Sequence, residues 1–159
     1  DGAQQKMKRL WVHECFRVFY DRLVDDKDRT WLLDSLKEIV NKEFDDEFDN
    51  LMGGLDSVEK GFVDFEDMRR CFFGDFIQND KEPEDREYNE IVDLPAMTGV
   101  IEEYLVDHNG MSKRPMNLAI FLYAAEHISR VCRLLKQPGG NMLLAGVGGS
   151  GRQSLTRLA

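Results

Sequence analysis

Histidine and cysteine are scarce in this chain, three of each among 159 residues. Cys15, Cys71 and Cys132 are odd in number, far apart and set in apolar patterns, so reduced thiols in an intracellular protein are expected rather than a disulfide framework. His13, His108 and His127 are isolated, and no Ser/His/Asp or Cys/His arrangement can be assembled around them. No uninterrupted apolar run has the length of a membrane span and no N-terminal run has signal-peptide character, so a soluble segment without membrane contact is expected. An excess of basic charge is missing too: 30 acids face 21 lysines and arginines, a net charge of −9. A phosphate backbone would meet no basic face here, which argues against nucleic acid as a partner.

What charge there is lies unevenly. Residues 1 to 42 carry eight acids and nine bases, and residues 43 to 107 carry twenty-one acids and five bases. Residues 108 to 159 carry one acid, Glu126, against seven bases. The change of sign near His108 marks a boundary between an acidic, solvated region and a basic one.

Apolar residues at Leu10, Trp11, Cys15, Phe16, Phe19, Tyr20 and Leu23 recur at helical spacing and predict a helix over Met7 to Val24. A second helix with Leu32, Leu36, Ile39 and Val40 as its stripe, capped by Asp28 or Thr30, completes a helical hairpin. From Phe44 to Glu90 the pattern does not decide between short helix and strand, and Asp80 to Arg86 is an acidic surface loop. Tyr88 to Asp107 returns to helical spacing, interrupted by Pro95 and Gly99. His108 to Pro115, with Asn109-Gly110, reads as a linker. An unbroken helical stripe then runs from Leu118 to Leu135 and stops at Pro138-Gly139-Gly140. Asn141 to Val147, a short apolar run between glycines, fits a buried parallel strand.

Two apparent metal motifs fail on their own residues. His13-Glu14 opens like H-E-x-x-H, but Arg17 stands where the second histidine should be, so His13 reads as an ordinary helix-face residue. Asp56 to Asp67 has a glycine at the sixth place and an acid at the twelfth, as a calcium loop would. Val58 and Lys60, however, occupy ligand positions, and Lys60 would repel the ion.

The motif that remains is the glycine-rich end, GVGGSGRQS. Gly146 and Gly151 anchor the G-x-x-x-x-G of a phosphate-binding loop, placed as required between a strand and a helix start. Gly146, Gly148, Gly149, Ser150 and Gly151 let the backbone wrap a phosphate closely, and the following helix adds its unpaired N–H groups. Arg152 replaces the usual lysine, keeping the charge but preferring a two-pronged grip. Gln153 replaces the serine or threonine that holds magnesium, and Ser154 lies one residue too late. Metal-assisted hydrolysis is therefore not expected of this loop. Arg130 and Arg133, before the loop, could add positive potential toward a phosphate or favour the helix C-terminus.

Arg9 to Asp26, Arg29 to Val40 and Ser112 to Ala159 carry a family likeness. The chain resembles the heavy chain of axonemal dynein, an AAA+ motor, from the helical small subdomain of the third module to the phosphate loop of the fourth. The resemblance implies a mostly α fold: a helical AAA+ small subdomain (residues 1–107), a linker (108–115), and the start of an α/β P-loop NTPase subdomain (116–159). It implies a fragment of an ATP-driven, minus-end-directed microtubule motor of the cilium or flagellum axoneme, in the cytoskeleton of the cytoplasm. Neighbouring AAA+ modules, microtubules and dynein intermediate and light chains would be its partners, and a coiled-coil stalk would lie elsewhere in the intact chain. This segment would be structural and regulatory, with ATP or ADP at Gly146 and Gly148 to Ser154 and no complete catalytic site. The competing expectation is a stand-alone acidic helical interaction module that binds no nucleotide.

Overall fold

The computed structural model describes residues 2–159, which divide after Phe72 into two compact units. The first opens with the expected hairpin. Helix α1 spans Gly2–Val18 and helix α2 spans Asp26–Phe44. The 3-10 turn Tyr20–Arg22 lies between them, so the first helix starts and ends earlier than the apolar spacing implied. The cap of α2 is Asp25 rather than Asp28 or Thr30: its carboxylate accepts from the Lys27 N–H at 2.7 Å, satisfying a donor that the helix leaves open.

Contacts between the start of α1 and the end of α2 make the hairpin antiparallel. Trp11 meets Phe44 edge to face at 5.0 Å. The Lys8 ammonium donates to the Phe44 carbonyl at 3.0 Å and to Asp46 at 2.9 Å, so it ties down the negative end of α2. Asp46 is held below the usual carboxylate range, chiefly by that Lys8 hydrogen bond. Val12 and Phe16 of α1 face a core with Leu32, Leu33, Leu36 and Val40 of α2. His13 lies in the same buried layer, with Nδ1 3.0 Å from Glu14, so it is more than the helix-face residue expected.

The undecided stretch after Phe44 resolves into short pieces. Helix α3 (Phe48–Leu51), the 3-10 turn Gly53–Leu55 and helix α4 (Phe65–Met68) contribute Phe48, Leu51, Met52, Leu55, Val63 and Met68 to the core. Each piece is too short to show a period in its sequence, which is why spacing could not assign it.

At the start of the second unit β1 (Phe72–Gly74), which begins on the boundary residue, pairs with β2 (Asn89–Ile91) in a two-stranded sheet. Helix α5 spans Leu94–Met111. Pro95 sits in its first turn, where no N–H is required, so it starts this helix instead of interrupting it. Asp93 caps it through the Ala96 N–H at 2.9 Å.

Asn109-Gly110, expected in the linker, is the last turn of α5. The Asn109 side chain then reaches across: its Oδ1 accepts from the Met116 N–H at 2.7 Å and its Nδ2 donates to the Met116 carbonyl at 2.8 Å. That two-point clasp holds the irregular stretch after α5 against the helix. Helix α6 (Leu122–Leu135) begins four residues later than the stripe suggested, and it buries Ala124, Ala125, Ile128 and Val131. It ends at a turn in which Gln137 N–H donates to Leu134 O at 3.0 Å. A side chain at Gly140 would lie 2.2 Å from that same carbonyl, so this position accepts only glycine.

Phe16→Ala is expected to destabilise the chain by about 3–5 kcal/mol in a denaturant titration, since it opens a cavity in the hairpin core. Asp25→Ala should cost about 1 kcal/mol and Asp28→Ala less than about 0.5 kcal/mol. Equal losses from the two aspartates would contradict the observed cap.

Candidate functional site

The candidate phosphate loop follows the Gly140 turn. Asn141 to Val147 is extended but pairs with no strand among the described residues, and its apolar side chains face solvent. Leu143 is 93% and Val147 79% exposed. The sequence reading of a buried strand is therefore corrected. A parallel strand is buried and hydrogen-bonded only by neighbours on both sides, and the described residues supply none.

The loop itself is nevertheless shaped. Gly149 (φ +80°) and Gly151 (φ +79°) take the left-handed conformation that side-chain-bearing residues resist. Ser150 N–H donates to Val147 O at 3.4 Å. Gly151 is the N-cap of helix α7 (Arg152–Leu158), and Leu155 N–H closes the first turn onto the Gly151 carbonyl at 2.9 Å. The N–H groups of Arg152, Gln153 and Ser154 precede that first bond and lack intrahelical acceptors. Helix α7 packs against α6 and α5.

Arg152 does something its sequence position did not reveal. Its guanidinium turns back into the loop, where Nη2 donates to the Val147 carbonyl at 3.0 Å and Nη1 to the Leu144 carbonyl at 3.2 Å. A Cβ on Gly146 would come within 3.4 Å of Arg152 Cδ and 3.5 Å of its Cζ, so the arginine arm lies over Gly146. The expected site residues thus fall into two groups. Gly146, Ser150, Gly151 and Arg152 are drawn together in one turn, with Gly148 and Gly149 at its exposed crest; Gln153 faces solvent and Ser154 is half-buried on α7.

Other candidates resolve structurally. Arg17, at the position where a zinc motif needs histidine, pairs with Asp21 at 3.2 Å. Arg130 pairs with buried Glu126, one turn earlier on α6, at 4.0 Å.

In the loop from Asp56 to Asp67, Asp56 accepts from the Gly61 N–H at 2.8 Å. The Lys60 ammonium bridges Asp64 at 2.6 Å and Asp67 at 2.7 Å. Asp64 and Asp67 also form a reciprocal capping box at the start of α4. A lysine therefore occupies the company a cation would keep. Hydrogen bonds to Asp64 and Asp67 push the Lys60 pKa up to about 12, and the Lys60 bond holds Asp64 below the usual carboxylate range.

A cavity of about 180 Å³ in the second unit, walled by Phe76, Ile101, Tyr104 and Ile128, includes no loop residue. Cys132 opens onto it, but burial pushes that thiol up to about 11, which leaves little thiolate for chemistry.

Comparison with known proteins places these elements. Residues 116–159 match the family model described as "P-loop containing dynein motor region D4", and residues 3–54 match an AAA+ lid domain. Mouse dynein axonemal heavy chain 12 is 46% identical over 157 residues, 99% of this chain. Its human counterpart is 48% identical over 153 residues, and human dynein axonemal heavy chain 3 is 44% identical over 155. The chain spans about 5% of the length of the first two relatives and 4% of the third.

The Lys60 bridge has a defined pH window. Its raised pKa gives stability fully present below pH 10.5 and lost as the pH rises toward about 12. The lowered Asp64 value gives stability present above 3.8 and lost as pH falls through the folded value. The difference in melting temperature between wild type and Lys60→Gln should therefore be constant across neutral pH and shrink at both extremes. Added calcium should shift neither melt, whereas a calcium-induced rise for wild type would contradict the bridge.

Proposed function

Because the chain is homologous to axonemal dynein heavy chains along nearly its whole length, we propose that it is one segment of such a motor. It runs from the helical lid that closes the third AAA+ module to the phosphate loop that opens the fourth. In this reading residues 1–107 are the lid region, 108–115 the linker and 116–159 the first part of the next module. The linker lies within a folded unit: Ile101 of α5 and Ile128 of α6, on either side of it, line one cavity. Its ends are also clasped by Asn109. A linker held in this way between α5 and α6 would carry a change of nucleotide state from one module to the next.

The loop would bind the phosphates of ATP or ADP through Gly146 and Gly148 to Ser154. The observation that carries this is a segment matching a P-loop family model, in which Gly149 and Gly151 hold left-handed turns. Backbone N–H groups and the α7 N-terminus would meet the phosphate oxygens. Gln153 offers no small hydroxyl for magnesium, so the site favours binding and regulation over hydrolysis. The intact protein would be an ATP-driven, minus-end-directed microtubule motor of the axoneme, its chemistry residing mainly in its first module. Neighbouring AAA+ modules, microtubules and dynein intermediate and light chains would be its partners.

Isothermal titration of the segment extended through a complete P-loop domain should register ADP and ATP. Gly151→Val, forced into the left-handed region, should weaken both by about tenfold. Absence of binding, or indifference to that substitution, would contradict the nucleotide reading and favour an acidic interaction module. The 159-residue chain alone should turn over no ATP; turnover abolished by altering Arg152 would reverse the assignment of this loop as regulatory.

A further inference from the structure

Asparagine followed by glycine is the pair in which the side-chain amide is most easily lost, because a residue without Cβ leaves its backbone nitrogen unhindered beside the carboxamide. Asn109-Gly110 is such a pair, and nothing in the fold requires glycine there. Gly110 lies in the last turn of α5 without a left-handed φ, and a Cβ added to it would meet nothing within 4 Å. Alanine would fit and would make the better helix, so this glycine contributes no packing and weakens its turn. Asn109, in contrast, binds Met116 through both ends of its carboxamide: Oδ1 accepts from the N–H at 2.7 Å and Nδ2 donates to the carbonyl at 2.8 Å.

We propose that Asn109-Gly110 is a deamidation site that the fold keeps dormant, and that it reacts when the Met116 clasp opens. In the reaction the Gly110 nitrogen gives up its proton and attacks Asn109 Cγ. A C–N bond forms, the Cγ–Nδ2 bond breaks, and ammonia leaves with that proton. The resulting five-membered imide takes up one water and opens to aspartate or isoaspartate, so solvent is the only co-reactant and nothing is oxidised or reduced. Two features oppose this in the closed state. The helical backbone directs the Gly110 N–H along the axis toward the carbonyl four residues back, and the clasp holds the carboxamide on Met116. The product cannot restore the clasp. Ionised aspartate still accepts from the Met116 N–H but has no donor for the carbonyl, and isoaspartate inserts a methylene into the main chain of the last turn. Opening of the stretch between α5 and α6 is thereby recorded as a one-way loosening.

The test incubates the 159-residue chain in mildly alkaline buffer, folded or in urea, and reads residue 109 by peptide mass spectrometry. Wild type should convert in urea and about tenfold more slowly when folded, since reaction then waits for two hydrogen bonds to open. Met116→Pro removes the N–H that Oδ1 accepts; with its helices intact by circular dichroism, it should react about fivefold faster than folded wild type. Should that variant unfold, NMR of wild type decides the same point, because the clasp requires an Asn109 side-chain N–H protected from exchange with water. Gly110→Ala should keep its amide far longer than wild type in urea. Asn109→Asp, the product made directly, should be cut by trypsin after Lys113 about fivefold faster than wild type, having lost one bond of the clasp. Equal rates for wild type folded and in urea would overturn the dormancy, and wild type that keeps its amide in urea would overturn the site. A folded Met116→Pro no faster than wild type, or rapid exchange of both Asn109 side-chain protons, would overturn the clasp as the cause. Unchanged trypsin cleavage of Asn109→Asp would overturn the loosening.

Discussion

The hydrogen bonds from Arg152 to the Leu144 and Val147 carbonyls tie the C-terminal loop to the segment before it. The extended segment before the loop cannot satisfy its own backbone: a parallel strand borrows donors and acceptors from both sides, and an apolar one also borrows cover from water. With neither supplied by the described residues, the loop keeps its shape through three local devices. Behind it, the Gly140 turn seats the chain against the end of α6. Ahead of it, α7 packs on α6 and α5. Across it lies the guanidinium, spanning two carbonyls from one planar group. Glycines at 149 and 151 make that path sterically possible.

The remainder of the second unit anchors this end by similar economy of means. Lys136, just past α6, forms an ion pair with buried Asp75 beside β1, and the Tyr104 hydroxyl donates to the Phe76 carbonyl at 3.2 Å. Asn109 binds both backbone groups of Met116. Each contact fixes an irregular stretch to a helix by satisfying main-chain or buried charged groups, which are costly to leave unpaired. The first unit meets the same demand through Lys8 at the end of α2 and Lys60 between two carboxylates, so its acidic surface is partly neutralised from within.

Long amphipathic helices were legible in the sequence because burial repeats over many turns; Leu32, Leu36 and Val40 of α2 are all in the core. Ends were less legible. Asp25 outcompeted Asp28 as a cap, and Pro95 began a helix that its presence seemed to break, since a proline's effect depends on whether its missing N–H was needed. Asn109-Gly110 has turn chemistry yet is helical, because the asparagine finds better partners at Met116 than a turn of its own. The strand expected at 141–147 does not form, because a parallel strand needs neighbours that its own residue pattern cannot supply and the described residues do not provide. Of the loop, the glycine pattern and helix start were visible in advance. The inward turn of Arg152 was not, since no pattern of residue types states which of several acceptors a guanidinium will choose.

The measurement that bears most directly on the account is an experimental structure of the segment, extended through the complete P-loop domain and saturated with ADP. The diphosphate is expected within the turn formed by Gly146 and Gly148 to Ser154, with the 141–147 segment paired in a parallel sheet. An empty loop at saturating ADP would contradict the nucleotide assignment.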